Sequence, residues 1–150
     1  DPITIHMHSI GGEWADGMAI FDAIKICNSY ITMVSYGQAE SMSSIILQAA
    51  DLRLVTPNSY FMSHFGSSGI EADFLNAQNS WVQFTVQYDF SSRCVKGQFF
   101  KEKYVKPDIK KVKNYLYKQL KDGDWYLNAE DCVHYGFADK VIKNWADLQA

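Results

Sequence analysis

Hydrophobic and polar positions change their period several times along the chain, and each change predicts an element. Ile3 to His8 is short and rich in β-formers and runs into Gly11-Gly12, the pattern of a strand entering a glycine turn. From Glu13 to about Cys27, Trp14, Met18, Phe21 and Ile24 recur every three or four positions, which predicts an amphipathic helix. Tyr30 to Tyr36 reads as a second strand closed by Gly37, and Ser41 to Ala50 as a short helix of small and apolar residues. Leu52 to Val55 and Tyr60 to Ser63 are strands around the turn signal Thr56-Pro57-Asn58.

Beyond Gly66-Ser67-Ser68-Gly69 the pattern lengthens. Residues 71–104 hold one glycine and no proline and read as one long helix or two, with Phe74, Ala77, Trp81 and Val82, Val86, Phe90 as stripes. Pro107-Asp108 opens another helix, with Ile109, Val112, Leu116 and Leu120 on its apolar side and Gly123 as its stop. Asn128 is an N-cap for a turn or two ending at Gly136, and Asp139 to Trp145 reads as a last strand. The strand–helix alternation predicts an α/β fold with crossover connections.

Composition bounds what such a fold does. A chain of 150 residues reads as a single domain, long enough to bury roughly 70% of the surface it exposes unfolded. With 47% hydrophobic and 21% charged residues, disorder is excluded, and no apolar run approaches the ~18 residues of a membrane span. The net charge of −3 argues against a dedicated nucleic-acid binder. Nine lysines fall between residues 96 and 121, a block that reads as a solvated helix face. Cys27, Cys94 and Cys132 are odd in number and form no CxxC, which fits reduced thiols and a cytoplasmic compartment. His6 and His8 share a strand face, but no third ligand follows at a recognisable spacing, so no metal site is expected.

The segment Gly37-Gln38-Ala39-Glu40-Ser41-Met42-Ser43 is the first candidate for chemistry. A strand ends, a tight turn follows, and a serine stands at the mouth of a helix whose free N–H groups face it. The pattern resembles a nucleophile elbow without the strict GxSxG, and on spacing alone a serine there is more often an ordinary N-cap. His64 follows a strand, and Asp124 follows the Gly123 stop. Gly11-Gly12 would let a backbone N–H approach a reacting carbonyl, or would simply make a tight turn. Together these are the parts of a Ser–His–Asp hydrolase.

The same segments resemble the proteolytic subunit of the ATP-dependent Clp protease over nearly the whole chain. His8-Ser9-Ile10-Gly11-Gly12 is similar to the family's Asn-Ser-Pro-Gly-Gly turn, and Gly17-Met18-Ala19-Ile20-Phe21-Asp22 to its following helix. Gly37 to Met42 matches the segment GQAASM with one change, and Leu54 to His64 resembles the stretch leading to the family's histidine. Asp124 to Glu130 and Tyr135 to Asp139 resemble the region of its aspartate.

The resemblance implies a ClpP-like, crotonase-like fold of repeated β-β-α units, with an extended helical handle over about residues 70–104. It implies a serine endopeptidase in which Ser41 attacks, His64 is the general base and Asp124 orients the imidazole. The N–H groups of Gly12 and Met42 would form the oxyanion hole. Substrate would lie as an added strand flanked by Glu13, Trp14, Ser67 and Ser68. No metal or organic cofactor is implied for hydrolysis, ATP being spent by a hexameric AAA+ unfoldase. The implied partners are unfolded polypeptide, that unfoldase, and further copies in a heptameric ring or double ring. The resemblance also places Asp1 after the family's N-terminal segment, so residues 1–150 read as a peptidase domain lacking it. Glu40 stands for an alanine, His8 for Asn and Ile10 for Pro. Rivals are a catalytically inactive Clp-like subunit of a mixed ring, an acyl-CoA enzyme of the same fold, and a serine/lysine peptidase; the Ser–His–Asp set argues against all three.

Overall fold

A computed structural model describes residues 1–65 and 88–149. Its centre is a six-stranded sheet built from β1 (Ile3–Ser9), β2 (Ile31–Glu40), β3 (Leu52–Val55), β4 (Tyr60–Ser63), β5 (Trp125–Asn128) and β6 (Lys140–Val141). The helices are α1 (Trp14–Ile26), α2 (Met42–Ile46), α3 (residues 88–94 of the described chain), α4 (Gln98–Lys103), α5 (Ile109–Leu120) and α6 (Ala129–Tyr135).

β2 organises the sheet. Its first five residues are all buried, the mark of a strand covered on both faces. One edge pairs in parallel with β1, Ile3 facing Ile31. The other edge is shared in sequence, residues 32–35 pairing with β3 and residues 38–40 with β4. The sheet therefore forks at Tyr36-Gly37. One branch runs through β3 to β6, the other through β4 to β5, which is antiparallel.

α1 closes one face with Phe21 and Ile24 buried and Trp14 and Met18 half-buried, the positions its period predicts. Gly17 is buried on that helix because Met42 lies where a Cβ would stand. On the other branch Phe61, Phe90 and Phe137 meet with ring centroids 4.6 to 6.0 Å apart, joining β4 to α3 and α6. Arg53, 5% exposed, ties the β3 branch together. It binds Asp139 at 2.7 and 3.2 Å, the Gln48 side chain at 2.7 Å and the Gly136 carbonyl at 2.8 Å.

Several expected boundaries move. The stretch 41–50 forms only five α-helical residues and then a 3-10 turn over Leu47–Ala49. The last strand is two residues instead of seven, because Asp147 folds the chain back. Its carboxylate accepts the N–H groups of Lys143 and Asn144 and meets Lys140. Three charge-stabilising bonds hold that carboxyl down at about 2. β5 was not anticipated. Ile109, expected on the apolar side of α5, is exposed, whereas Val112, Leu116 and Leu120 are buried. The described part of the 71–104 segment holds two helices broken at residues 95–97; the stripe residues Phe74 to Val86 lie outside the described residues, as does most of the expected handle. α5 exposes Lys110, Lys111, Lys113 and Lys118 to solvent.

Candidate active site

The fork sets three chain segments side by side. β4 lies between β2 and β5, with Glu40 opposite Met62 and Ser63 opposite Trp125. Ser41 is the residue after β2, His64 the residue after β4, and Asp124 the residue before β5, whose antiparallel direction brings its start to the same edge. Residues 23 and 60 positions apart in sequence are thus neighbours by topology alone.

Ser41 Oγ lies 2.7 Å from His64 Nε2, and His64 Nδ1 lies 3.1 Å from Asp124 Oδ1. A neutral imidazole that accepts from the serine hydroxyl at Nε2 carries its proton on Nδ1, where the carboxylate accepts it. The His64 side chain is 23% exposed and that of Asp124 50%. Ser41 and His64 are both half-buried and so open in part to solvent.

Ser41 occupies the N-cap position of α2 but makes no capping bond; its hydroxyl faces His64 instead. Its backbone has φ 54° and ψ −121°, the only positive φ outside glycine among the described residues. That conformation belongs to the first central residue of a type II′ turn, a glycine position. The Ser41 N–H donates to the Met62 carbonyl at 2.8 Å, and Ser44 donates to the Ser41 carbonyl through both N–H and Oγ. The turn is bonded on both sides, which holds the strained residue in place.

The glycine turn after β1 backs onto this elbow. A Cβ on Gly11 (φ 99°) would fall 2.8 Å from the Glu40 carbonyl, 3.0 Å from Ser41 Cβ and 3.1 Å from the Met42 nitrogen. Gly12, next along, is exposed, with open space where its side chain would be. Met42 is the first helical residue of α2 and is buried against Gly17. Two serines that sequence reading did not single out hold this junction: Ser43 Oγ donates to Ser9 Oγ at 2.5 Å, and Gly11 N–H donates to the same oxygen at 3.1 Å. A serine two residues before a turn glycine is their one sequence signal.

Glu13 forms the N-cap of α1 without a side-chain bond, and Trp14 is half-buried beside it. Ser67 and Ser68 lie outside the described residues. Glu40 stands beside the Tyr60 hydroxyl, which partial desolvation and then that carboxylate push above the ordinary phenol range. Tyr60 donates to the Gln38 side chain and its ring meets Tyr126. Among the described residues the carboxylate paired with His64 is Asp124.

An α/β sheet whose adjacent strand ends present a hydroxyl, an imidazole and a carboxylate in line defines a class of hydrolase-like folds. Within it the chain belongs to the Clp protease family, whose profile matches residues 1–145, and it is by that membership a Clp-type peptidase. It is 30% identical over 150 residues to the ATP-dependent Clp protease proteolytic subunit 2 of Treponema denticola, covering 98% of this chain and 69% of that one. The protein of the same description from Pseudomonas aeruginosa is 29% identical, over 95% of this chain and 66% of its own length. A ClpP1 mutant from Listeria monocytogenes superposes with a TM-score of 0.74 at 23% identity, over 98% of this chain and 77% of that one, which establishes the ClpP fold.

Proposed function

We propose that the protein is a serine endopeptidase that cleaves unfolded polypeptide, with Ser41 as nucleophile, His64 as general base and Asp124 as the group that orients it. The observation that carries this reading is the relay itself, 2.7 Å from Ser41 Oγ to His64 Nε2 and 3.1 Å from His64 Nδ1 to Asp124 Oδ1. His64 takes the hydroxyl proton as Oγ attacks the scissile carbonyl. The imidazolium that forms is stabilised by Asp124, then returns the proton to the leaving amine. Water repeats the sequence on the acyl-enzyme, again with His64 as base.

The N–H groups of Met42 and Gly12 are assigned to the developing oxyanion. The close approach of the Gly11 backbone to the Met42 nitrogen and the open space at Gly12 support that assignment. A donor of this kind contributes about 3–4 kcal/mol to the barrier. Substrate lies as an extended strand past Glu13 and Trp14, read through its backbone and therefore with broad sequence tolerance. The bond cleavage uses no metal or organic cofactor in this scheme. Following the family, the peptidase works in a ring of copies fed by an ATP-driven unfoldase, in a cytoplasmic compartment.

A fluorophosphonate probe tests the reading. Wild-type protein in its native assembly is expected to gain one adduct, mapped to Ser41, and to lose hydrolysis of a short fluorogenic peptide in proportion. Ser41→Ala should abolish both. Native protein that stays unlabelled and hydrolyses no peptide would instead identify a catalytically inactive Clp-like subunit.

A further inference from the structure

At the fork in the sheet stands a side chain that the proposed relay does not use. β1 and β2 keep register from Ile3 opposite Ile31 to Met7 opposite Ser35, then resume with Ser9 opposite Ala39. Two residues on β1 are matched by four on β2, so His8 alone faces Tyr36, Gly37 and Gln38. This is a bulge with two extra residues, and a bulge bends its strand and re-aims the residues beyond it. Here the bend is where β2 leaves β3 and joins β4, three residues before Ser41.

The His8 ring lies against the bulge at Gly37 and is itself exposed. Gly37 has φ 56°, and a Cβ there would fall 2.5 Å from His8 Nδ1. The bulge leaves the Gln38 N–H without a β1 carbonyl, and that N–H donates to His8 Nδ1 at 3.2 Å. The Tyr36 carbonyl lies 3.2 Å from the same nitrogen. One ring nitrogen cannot serve both. With a lone pair on Nδ1 it accepts from Gln38; with a proton there it donates to Tyr36 and drops Gln38. His6 stands two residues before it on the same face of β1, its Nδ1 2.7 Å from the Tyr36 hydroxyl. From the 3-10 turn after β6 the ring of Trp145 meets His6, with centroids 6.2 Å apart. Among the described residues His8 forms no ion pair with a carboxylate.

We propose that His8 is a positioning residue for Ser41: its Nδ1 lone pair clamps the β2 bulge through the Gln38 N–H. The kinetic half of this proposal rests on Ser41 being the nucleophile; the clamp itself does not. With that bond in place the bend of β2 is fixed and Ser41 is delivered to His64. Without it the Gln38 N–H turns to solvent and the strand segment leading to the nucleophile is freed.

The experiment compares the full chain with His8→Ala and His8→Asn by two measurements at matched pH. The first is amide hydrogen exchange of the peptide spanning residues 36–40. His8→Ala should speed exchange there by about tenfold at neutral pH, the size of one lost hydrogen bond. His8→Asn should restore protection, because an amide oxygen accepts the same bond. The second is hydrolysis of a short unstructured peptide. His8→Ala should lower kcat by about 10- to 100-fold with KM within about twofold, the signature of a misplaced nucleophile. His8→Asn should recover kcat.

Exchange unchanged in His8→Ala overturns the clamp. So does failure of His8→Asn to restore protection, or a kcat in His8→Asn as low as in His8→Ala. If wild-type protein takes no label at Ser41 and cleaves nothing, the peptidase reading falls, while the exchange measurement still decides the clamp.

Discussion

Ser41 carries two burdens at one position, a hydroxyl and a strained backbone, and substitution separates them. Its φ of 54° is a conformation that costs a non-glycine residue about 1–2 kcal/mol. Ser41→Ala removes the hydroxyl and keeps the strain, whereas Ser41→Gly removes both. Glycine also raises the entropy of the unfolded chain, which offsets about 0.4–1 kcal/mol of the relief. Ser41→Gly is therefore expected to melt higher than Ser41→Ala by roughly 1–3 °C, with both inactive. A calorimetric scan of the pair checks it, and equal melting temperatures would show that the strain relieved is no larger than the ~0.4–1 kcal/mol of entropy that glycine adds to the unfolded chain.

The strand–turn–helix pattern made this serine visible in sequence. It did not decide between cap and nucleophile, because the choice turns on whether the hydroxyl points at Met42-Ser43-Ser44 or across to another strand. Local pattern marked His64 and Asp124 only as residues after a strand and after a glycine; the resemblance to the Clp family is what singled them out. Their convergence depends on β5 running antiparallel to β4, which no local pattern encodes.

At the scale of elements, the legible parts were those whose stability comes from their own periodicity. α1 buries Phe21 and Ile24 and α5 buries Val112, Leu116 and Leu120 as their spacing predicts, Ile109 excepted, and β1 to β4 start within a residue of where composition puts them. β5 escaped because its four residues show the pattern half-buried, exposed, buried, exposed and owe their conformation to β4. β6 was overestimated because the carboxylate of Asp147 competes for the backbone of residues 143 and 144. The junction of α4 with α6 was equally hidden. Gly97 has an ordinary extended φ, so nothing local requires glycine, yet a Cβ there would fall 2.3 Å from the Tyr135 carbonyl oxygen and 2.6 Å from its carbon.

Those neighbours are backbone and cannot swing aside. Above them Phe99 and Tyr135 meet at 4.3 Å and Phe100 and Tyr115 at 5.3 Å, so separating the helices also loosens an aromatic cluster. Gly97→Ala is expected to cost about 1–3 kcal/mol, against a gain of under 1 kcal/mol in chain entropy. The measurement is the midpoint of urea unfolding followed by circular dichroism. A midpoint at or above that of wild type would mean the two helices are not packed as described.

The three thiols report on the molecule as a whole, because they sit at three depths. Cys27 is half-buried and lines an open apolar groove of about 450 Å³ between β1 and α1. Cys94 and Cys132 are fully buried on α3 and α6, where the two branches of the fold meet. Burial is the first cause that raises both thiols, Cys132 to about 12 and Cys94 well above its ordinary value. Thiolate is the reactive form, so access and ionisation act in the same direction. In native buffer at pH 8 a maleimide is expected to modify Cys27 alone. Cys94 and Cys132 should react only through opening of the core, and therefore together, at one rate that rises with denaturant as the global transition does.

The same shifts set an alkaline limit. A group whose folded pKa is raised holds its proton more tightly in the native state. Its contribution is complete below the unfolded value of 9.0 and is lost as pH climbs toward about 12 for Cys132. Tyr135, raised first by burial and then by its bond to the Tyr115 hydroxyl, acts in the same sense. The melting temperature should thus begin to fall above about pH 9, and the paired labelling of Cys94 and Cys132 should accelerate over the same range. Modification of either buried thiol at the rate of Cys27 in native buffer would contradict the packing of α3 and α6 against the sheet. Their separation in rate would show that the two branches of the fork open independently instead of as one cooperative body.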